Sequence, residues 1–262
     1  MNRNHIFKRL SYVYGPVPSW RLGRSLGIDP ITRSEKVCTF DCIYCQIGKT
    51  RHMPLKRSIF VPVQKMVKEL SSLPKIKIDY ITFAGTGEPT LAKNLGSMIK
   101  AVRQVRNEKI AVLTNSSIAN REDVVKDLLL ADLVVFKLDA PSQDIFRLIN
   151  RPARNIRLNT IIKAIKRFKA RHMGRTALQI MFTEENKSSA KEIARIAKEI
   201  GPDEVQLNTP LRPCGVKPLK RDEMAALERY FKGLKIASVY RAKHKDVKPI
   251  SAKSTLKRRG KV

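Results

Sequence analysis

Short apolar runs alternate with longer amphipathic segments along most of this chain, and that cadence constrains its fold more than any other feature. Candidate strands lie at residues 78–83, 110–114, 133–138, 177–182 and 204–207. A further strand is expected just before Cys38, at residues 27–31 or 36–38. Between the strands, apolar residues recur at three- and four-residue spacing over residues 61–70, 94–106, 123–130, 158–168, 190–200 and 221–231. In 158–168, for example, Leu158, Ile161, Ile162, Ile165 and Phe168 share one helical face. Strand, helix, strand at this cadence predicts βαβ units and a parallel sheet, because parallel neighbours need a connection long enough to hold a helix. About six units in roughly 210 residues fall short of a closed eight-unit barrel, so the expected fold is α/β, a partial (β/α)6 barrel of TIM type.

Two segments stand outside this pattern. Residues 1–24 hold the proline-broken stretch Tyr14-Gly-Pro-Val-Pro-Ser-Trp20, which cannot form a long helix and reads as an N-terminal extension. Residues 241–262 carry nine Lys or Arg against one acid, Asp246, with no visible period. They read as a flexible basic tail, leaving 25–240 as the barrel domain. The most apolar run, 128–136, contains Asp132 and is far shorter than the ~20 residues a membrane span needs. No apolar stretch follows Met1-Asn-Arg-Asn-His5 as a secretion signal would, so a cytoplasmic, reducing compartment is expected.

In such a compartment, few cysteines point to metal or catalysis before disulfides. Three of the four form the run Cys38-Thr-Phe-Asp-Cys42-Ile-Tyr-Cys45. Their thiolates meet at one centre only if the chain loops around it, and soft sulfur donors suit zinc or iron–sulfur. A structural zinc wants a fourth ligand, for which His52 and Cys214 are the candidates. A [4Fe-4S] cluster held by three cysteines leaves one iron open to a small molecule. For Cys214 three roles stand open: hydrogen donor, ligand to an auxiliary metal, or an inert small side chain.

The cysteine spacing, with Tyr44 before the last cysteine, resembles the signature of the radical S-adenosylmethionine (SAM) superfamily. Gly85-Thr-Gly-Glu-Pro89, at a strand end about 40 residues downstream, is similar to that family's Gly-Gly-Glu-Pro motif. Further stretches resemble the subgroup related to wyosine-tRNA (4-demethylwyosine) synthases: residues 14–27, 85–91, 112–116 and 206–213. Trp20 departs from the Arg usual there, and Cys214 alone cannot build the second cluster that true wyosine synthases carry. The resemblance implies that Cys38, Cys42 and Cys45 hold a [4Fe-4S] cluster whose open iron chelates SAM, and that an electron cleaves SAM to a 5′-deoxyadenosyl radical. It places Tyr44 beside the adenine, Gly85, Gly87 and Glu88 at the methionyl end, and Asn115 and Ser116 near SAM or substrate. It gives Asp139 the ribose hydroxyls, Met181 an apolar adenine contact and Asn208 the rest of the pocket. All these residues fall at predicted strand ends, where parallel α/β folds bind ligands. It also implies an electron donor such as flavodoxin or ferredoxin.

Charge bears on the partner. Lys and Arg number 53 against 23 Asp and Glu, a net charge of +30. A balance this basic favours a polyanionic partner such as RNA, DNA or the ribosome over an acidic metabolite, and the resemblance narrows this to tRNA or another structured RNA. Residues 151–175 contribute nine of the cations and no acid, and the apolar stripe of 158–168 leaves Lys163, Lys166, Arg167, Lys169 and Arg171 on the opposite face. The expected activity is therefore radical modification of RNA. Action on a protein, as by an activase, or on a small molecule is a second reading, and a nucleic-acid-binding module with structural zinc a third.

Overall fold

Near-continuous burial along the central strands builds a sheet with a core on both faces. The computed structural model describes residues 11–243 and 245–259. Among them, eight strands form one sheet in chain order: β1 (Val13–Ser19), β2 (Gly23–Ile28), β3 (Tyr80–Phe83), β4 (Lys109–Thr114), β5 (Leu133–Lys137), β6 (Arg175–Met181), β7 (Glu204–Asn208) and β8 (Ile236–Ser238). β1 pairs antiparallel with β2, and every later pair is parallel. The helices are α1 (Val63–Ser71), α2 (Leu95–Val105), α3 (Glu122–Leu128), α4 (Gln143–Asn150), α5 (Leu158–Arg171), α6 (Ala190–Ile200), α7 (Arg221–Glu228) and α8 (Ala252–Arg259). The sheet curls as a half-barrel whose edges are β1 and β8, so the expected partial barrel is what the chain forms.

On the helix-covered face, Ile110, Val112, Val134, Phe136, Leu178 and Ile180 meet Met98, Val102, Leu128, Ile165 and Phe168 in one continuous core. Their strand neighbours Ala111, Leu133, Val135 and Ala177 point to the concave face with Leu113 and Tyr80. The two-residue alternation of side chains along a strand makes this division.

Three sequence expectations are corrected. Val13–Ser19 of the supposed extension is an edge strand of the barrel sheet; an edge tolerates Pro16 and Pro18, whose missing N–H groups a central ladder would need. Gly27 opposite lets the Tyr14 ring lie where a Cβ would sit. The preceding barrel strand is β2, whereas 36–38 makes only isolated bridges through Val37. The supposed flexible tail forms α8, and its Arg258 is buried against Asp29. Residues 260–262 lie outside the described residues.

Candidate functional site

The carboxyl ends of the central strands open onto a cavity of about 180 Å³. Its walls are Cys38, Cys42 and Cys45 with Lys36, Phe40 and Tyr44 from the loop after β2, and Gly87, Glu88, Thr114, Asn115, Lys137 and Gln179 from the later strand ends. Leu113 and Val135 form the apolar floor.

The cysteine loop has little regular structure and is tied down from both sides. Val37 N donates to Thr86 O at 3.0 Å, and Glu88 N to Val37 O at 3.0 Å. A Cβ on Gly87 would stand 1.7 Å from the Val37 carbonyl oxygen, so glycine there lets the two backbones meet. On the other side, Asp41 N donates to Asn150 O at 3.1 Å and Ile43 N to Ile149 O at 2.9 Å. Phe40 packs edge-on against Phe146 of α4 at 5.3 Å.

The three thiols thus share one cavity. Burial, with the negative charges of Glu88 and Cys42, pushes the Cys38 thiol up to about 12. Burial pushes Cys42 up to about 11 against the opposing pull of Lys137. Both must give up a proton to ligate metal, so loading releases protons. For Lys36, burial disfavours its charge, but Cys45 and Cys38 outweigh that and raise its pKa. Lys36 Nζ also donates to Gly48 O at 3.0 Å. Among the described residues no three His, Cys, Asp or Glu are gathered as one metal ion requires. Tetrahedral zinc would hold its sulfurs about 3.8 Å apart, given Zn–S bonds of about 2.3 Å. A cubane takes each thiolate on a separate iron and spaces them wider. His52 is exposed, and the Cys214 thiol donates to Val216 O at 3.3 Å away from the cavity lining. The donor set therefore fits a three-cysteine cluster and lacks the fourth ligand of a structural zinc.

Glu88 is buried and already engaged. Its Oε1 accepts from Thr90 N at 3.0 Å, Thr90 Oγ1 at 2.7 Å and Thr114 Oγ1 at 2.7 Å. Its Oε2 accepts from Asn115 N at 2.7 Å. Burial pushes this carboxyl above the usual carboxylate range, against the pull of these donors. Asn115 passes the order on: its Nδ2 donates to Thr39 Oγ1 at 2.8 Å and Cys38 Sγ at 3.4 Å. The carboxylate thus fixes an amide that orients a cluster ligand.

Tyr44 belongs to a second network. Its phenol donates to Asp139 Oδ2. Burial, then the Asp139 charge, pushes the phenol well above its usual range, so it stays protonated. Lys137 Nζ lies 4.9 Å from the Tyr44 ring centre. Asn150 Nδ2 donates to Asp139 Oδ2 at 2.7 Å, Tyr44 Oη at 2.9 Å and Cys42 Sγ at 3.5 Å. Its Oδ1 is buried without a hydrogen-bond partner.

Of the residues expected to meet SAM, the cavity collects Tyr44, Gly87, Glu88 and Asn115. Gly85, Ser116, Asp139, Met181 and Asn208 lie outside its lining. Gly85 makes room for Asp29, whose carboxyl carbon would be 2.1 Å from a Cβ there. Ser116, at φ 71°, accepts from Lys137 N at 3.1 Å and so ties the end of β4 to β5. Asp139 is buried, and its other oxygen accepts from Met181 N at 2.8 Å. Asn208 Oδ1 accepts from Thr209 N at 3.0 Å. Sequence reading missed Lys36, Lys137 and Asn150. The Ser142 cap followed by Ile145, Phe146 and Ile149 at helical spacing marks α4, and hence Asn150 at its end.

The Radical SAM superfamily profile matches residues 36–197. A UPF0026 protein from Synechocystis is 40% identical over 80% of this chain and 78% of its own length. A probable GTP 3′,8-cyclase from Saccharolobus solfataricus is 25% identical over 86% of this chain and 70% of its own. Streptococcus suis SuiB, solved with its precursor peptide SuiA, superposes with a TM-score of 0.63 at 15% identity, covering 81% of this chain. The chain spans about half of SuiB, 48% of its length. No helix among the described residues is long and apolar enough to cross a membrane. Profile, relatives and three-cysteine cavity together make this chain a member of the Radical SAM superfamily, an enzyme that works with a [4Fe-4S] cluster and SAM.

Proposed function

We propose that this enzyme modifies RNA, tRNA foremost, within the subgroup related to the wyosine-tRNA synthases. The observation that carries the reading is a ring of exposed cations around the cavity. Arg33, Lys49, Lys56, Arg151, Arg154, Arg157 and Lys217 are exposed on loops at the cluster end of the barrel. Among the described residues none of the seven forms an ion pair. On α5, by contrast, Lys166 pairs with Glu199, Lys169 with Asp203 and Arg171 with Glu122. Three of the five cations on the helix face expected to neutralise phosphates are thus already paired, whereas the loops around the cavity present seven without a carboxylate partner among the described residues.

A [4Fe-4S] cluster held by Cys38, Cys42 and Cys45 would supply one-electron radical chemistry on SAM. The chain's own residues hold the thiolates, keep Tyr44 protonated and floor the cavity with apolar side chains that exclude water. Phosphate contacts position the substrate at the rim, and base identity is read inside. A reductant such as flavodoxin or ferredoxin, in a reducing cytoplasm, would supply the electron.

The direct test is mass spectrometry of tRNA nucleosides from a strain lacking this gene, where one modified nucleoside should vanish and return on complementation. An unchanged nucleoside profile, with a free purine nucleotide consumed by the purified enzyme, would overturn the reading in favour of the chemistry named for the cyclase relative. With about six phosphates engaged, tRNA affinity should drop roughly a thousandfold between 50 and 200 mM salt.

A further inference from the structure

Arg258 on α8 is fully buried, as is its partner Asp29, both side chains at 0% exposure. Its Nε donates to Asp29 Oδ2 at 3.0 Å. The same oxygen accepts from Thr86 Oγ1 at 2.9 Å, the residue between Gly85 and Gly87. The other oxygen of Asp29 accepts from Ile31 N at 3.1 Å and Thr32 N at 3.0 Å, where the chain turns toward the cysteines. Gly85 is the residue that admits this carboxylate. The rest of the guanidinium is also engaged. Nη1 donates to Ser254 O at 3.1 Å and Ser254 Oγ at 2.9 Å, and Nη2 to Ser11 O. The group lies 5.3 Å from the Tyr14 ring centre, and the Tyr14 phenol donates to Ala84 O at 3.1 Å. Two chains of contact therefore run from α8 to residues 84–86. A buried ion pair is weak evidence for stability, because desolvation offsets the attraction. What it supplies here is a fixed position for the loop it touches.

We propose that Arg258 is a positioning residue for SAM: through Asp29 and Thr86 it sets the height of the Gly85–Pro89 loop against the methionyl end of the cofactor. The inference rests on the reading of that loop as SAM-facing. Misplacement of a binding element by a fraction of an ångström is enough to weaken a ligand without unfolding the protein.

The test is equilibrium dialysis of SAM with anaerobically reconstituted Arg258→Gln, Arg258→Lys, Thr86→Val and the Gln/Val double variant, with iron content and thermal unfolding measured on each. Arg258→Gln should load iron as the natural protein does and bind SAM about tenfold more weakly, with Arg258→Lys in between. The double variant should be no weaker than the worse single one, because both cut the same path. A purely stabilising role would lower the unfolding temperature and leave SAM affinity within about twofold, which overturns the inference. Should Arg258→Gln fail to fold, Arg258→Lys decides by the same criterion. Gly87→Ala, whose Cβ collides with Val37, tests the underlying reading. If that variant keeps full SAM affinity, the loop does not face SAM and both claims fall. If it loses affinity while both Arg258 variants keep it, only the role of Arg258 falls.

Discussion

The two ends of the sheet treat their carboxylates differently. At the amino ends of the strands, Asp79, Glu108, Asp132, Asp203 and Glu204 keep some exposure and pair with Arg or Lys: Arg24, Arg106, Arg103, Lys169 and Arg175. At the carboxyl ends, Glu88 and Asp139 are buried and hydrogen-bonded by threonines, amides and a phenol. The nearest cation to Asp139 is Lys137 at 3.9 Å. Size misleads here, since the larger concavity, about 620 Å³ and bordered by Trp20, Asp79 and Lys109, lies at the amino end. Volume does not mark the site; buried carboxylates that hold other side chains in place do. One end of the barrel is tied by partly exposed pairs; at the other, beside the buried pair of Asp29 with Arg258, an ordered polar network surrounds three thiols.

Removing a ligand should have the largest effect. Cys42→Ala should lose its iron and brown colour and reduce SAM cleavage under dithionite to background; iron and sulfide assays read this directly. Cleavage persisting in that variant would detach the thiols from the chemistry. Next, Asp139→Ala should cost about 3 kcal/mol in urea unfolding, because it strands the Tyr44 phenol and the Asn150 amide in a buried setting. An alkaline effect follows from the thiols. Cys38 and Cys42 sit at about 12 and about 11 in the fold, above the ordinary 9.0. The folded metal-free protein thus keeps protons that the unfolded chain releases. Its stability should hold below pH 9 and fall as pH rises from 9 toward 11, whereas cluster loading, which has already displaced those protons, should remove that fall. Urea midpoints at pH 8 and pH 10, with and without cluster, check it. The smallest effect belongs to the other end: Asp203→Asn, breaking the half-exposed pair with Lys169, should cost under about 1 kcal/mol. If Asp139 and Asp203 cost the same, the contrast between the ends is wrong.

The barrel was largely legible because its signal is local. Period in the sequence places α6 at Ala190–Ile200, and Gly201 at φ 65° stops it there. The same holds for β4 to β7, whose apolar runs are short and bounded. What escaped depends on distant partners. Nothing around Arg258 announces that Asp29, 229 residues away, buries it. The edge strand β1 was hidden by prolines that an edge tolerates. At the site, residue types at strand ends were legible, but their direction was not: Asp139 and Ser116 turn toward protein partners, and Asn150 arrives from a helix the periodic reading passed over.

Electron paramagnetic resonance of the anaerobically purified, dithionite-reduced enzyme, recorded before and after adding SAM, tests the central claim most directly. Three thiols holding one cubane with an open iron predict a reduced [4Fe-4S] signal that changes shape when SAM binds. A sample with stoichiometric zinc and no such signal, or a cluster signal indifferent to SAM, would contradict it.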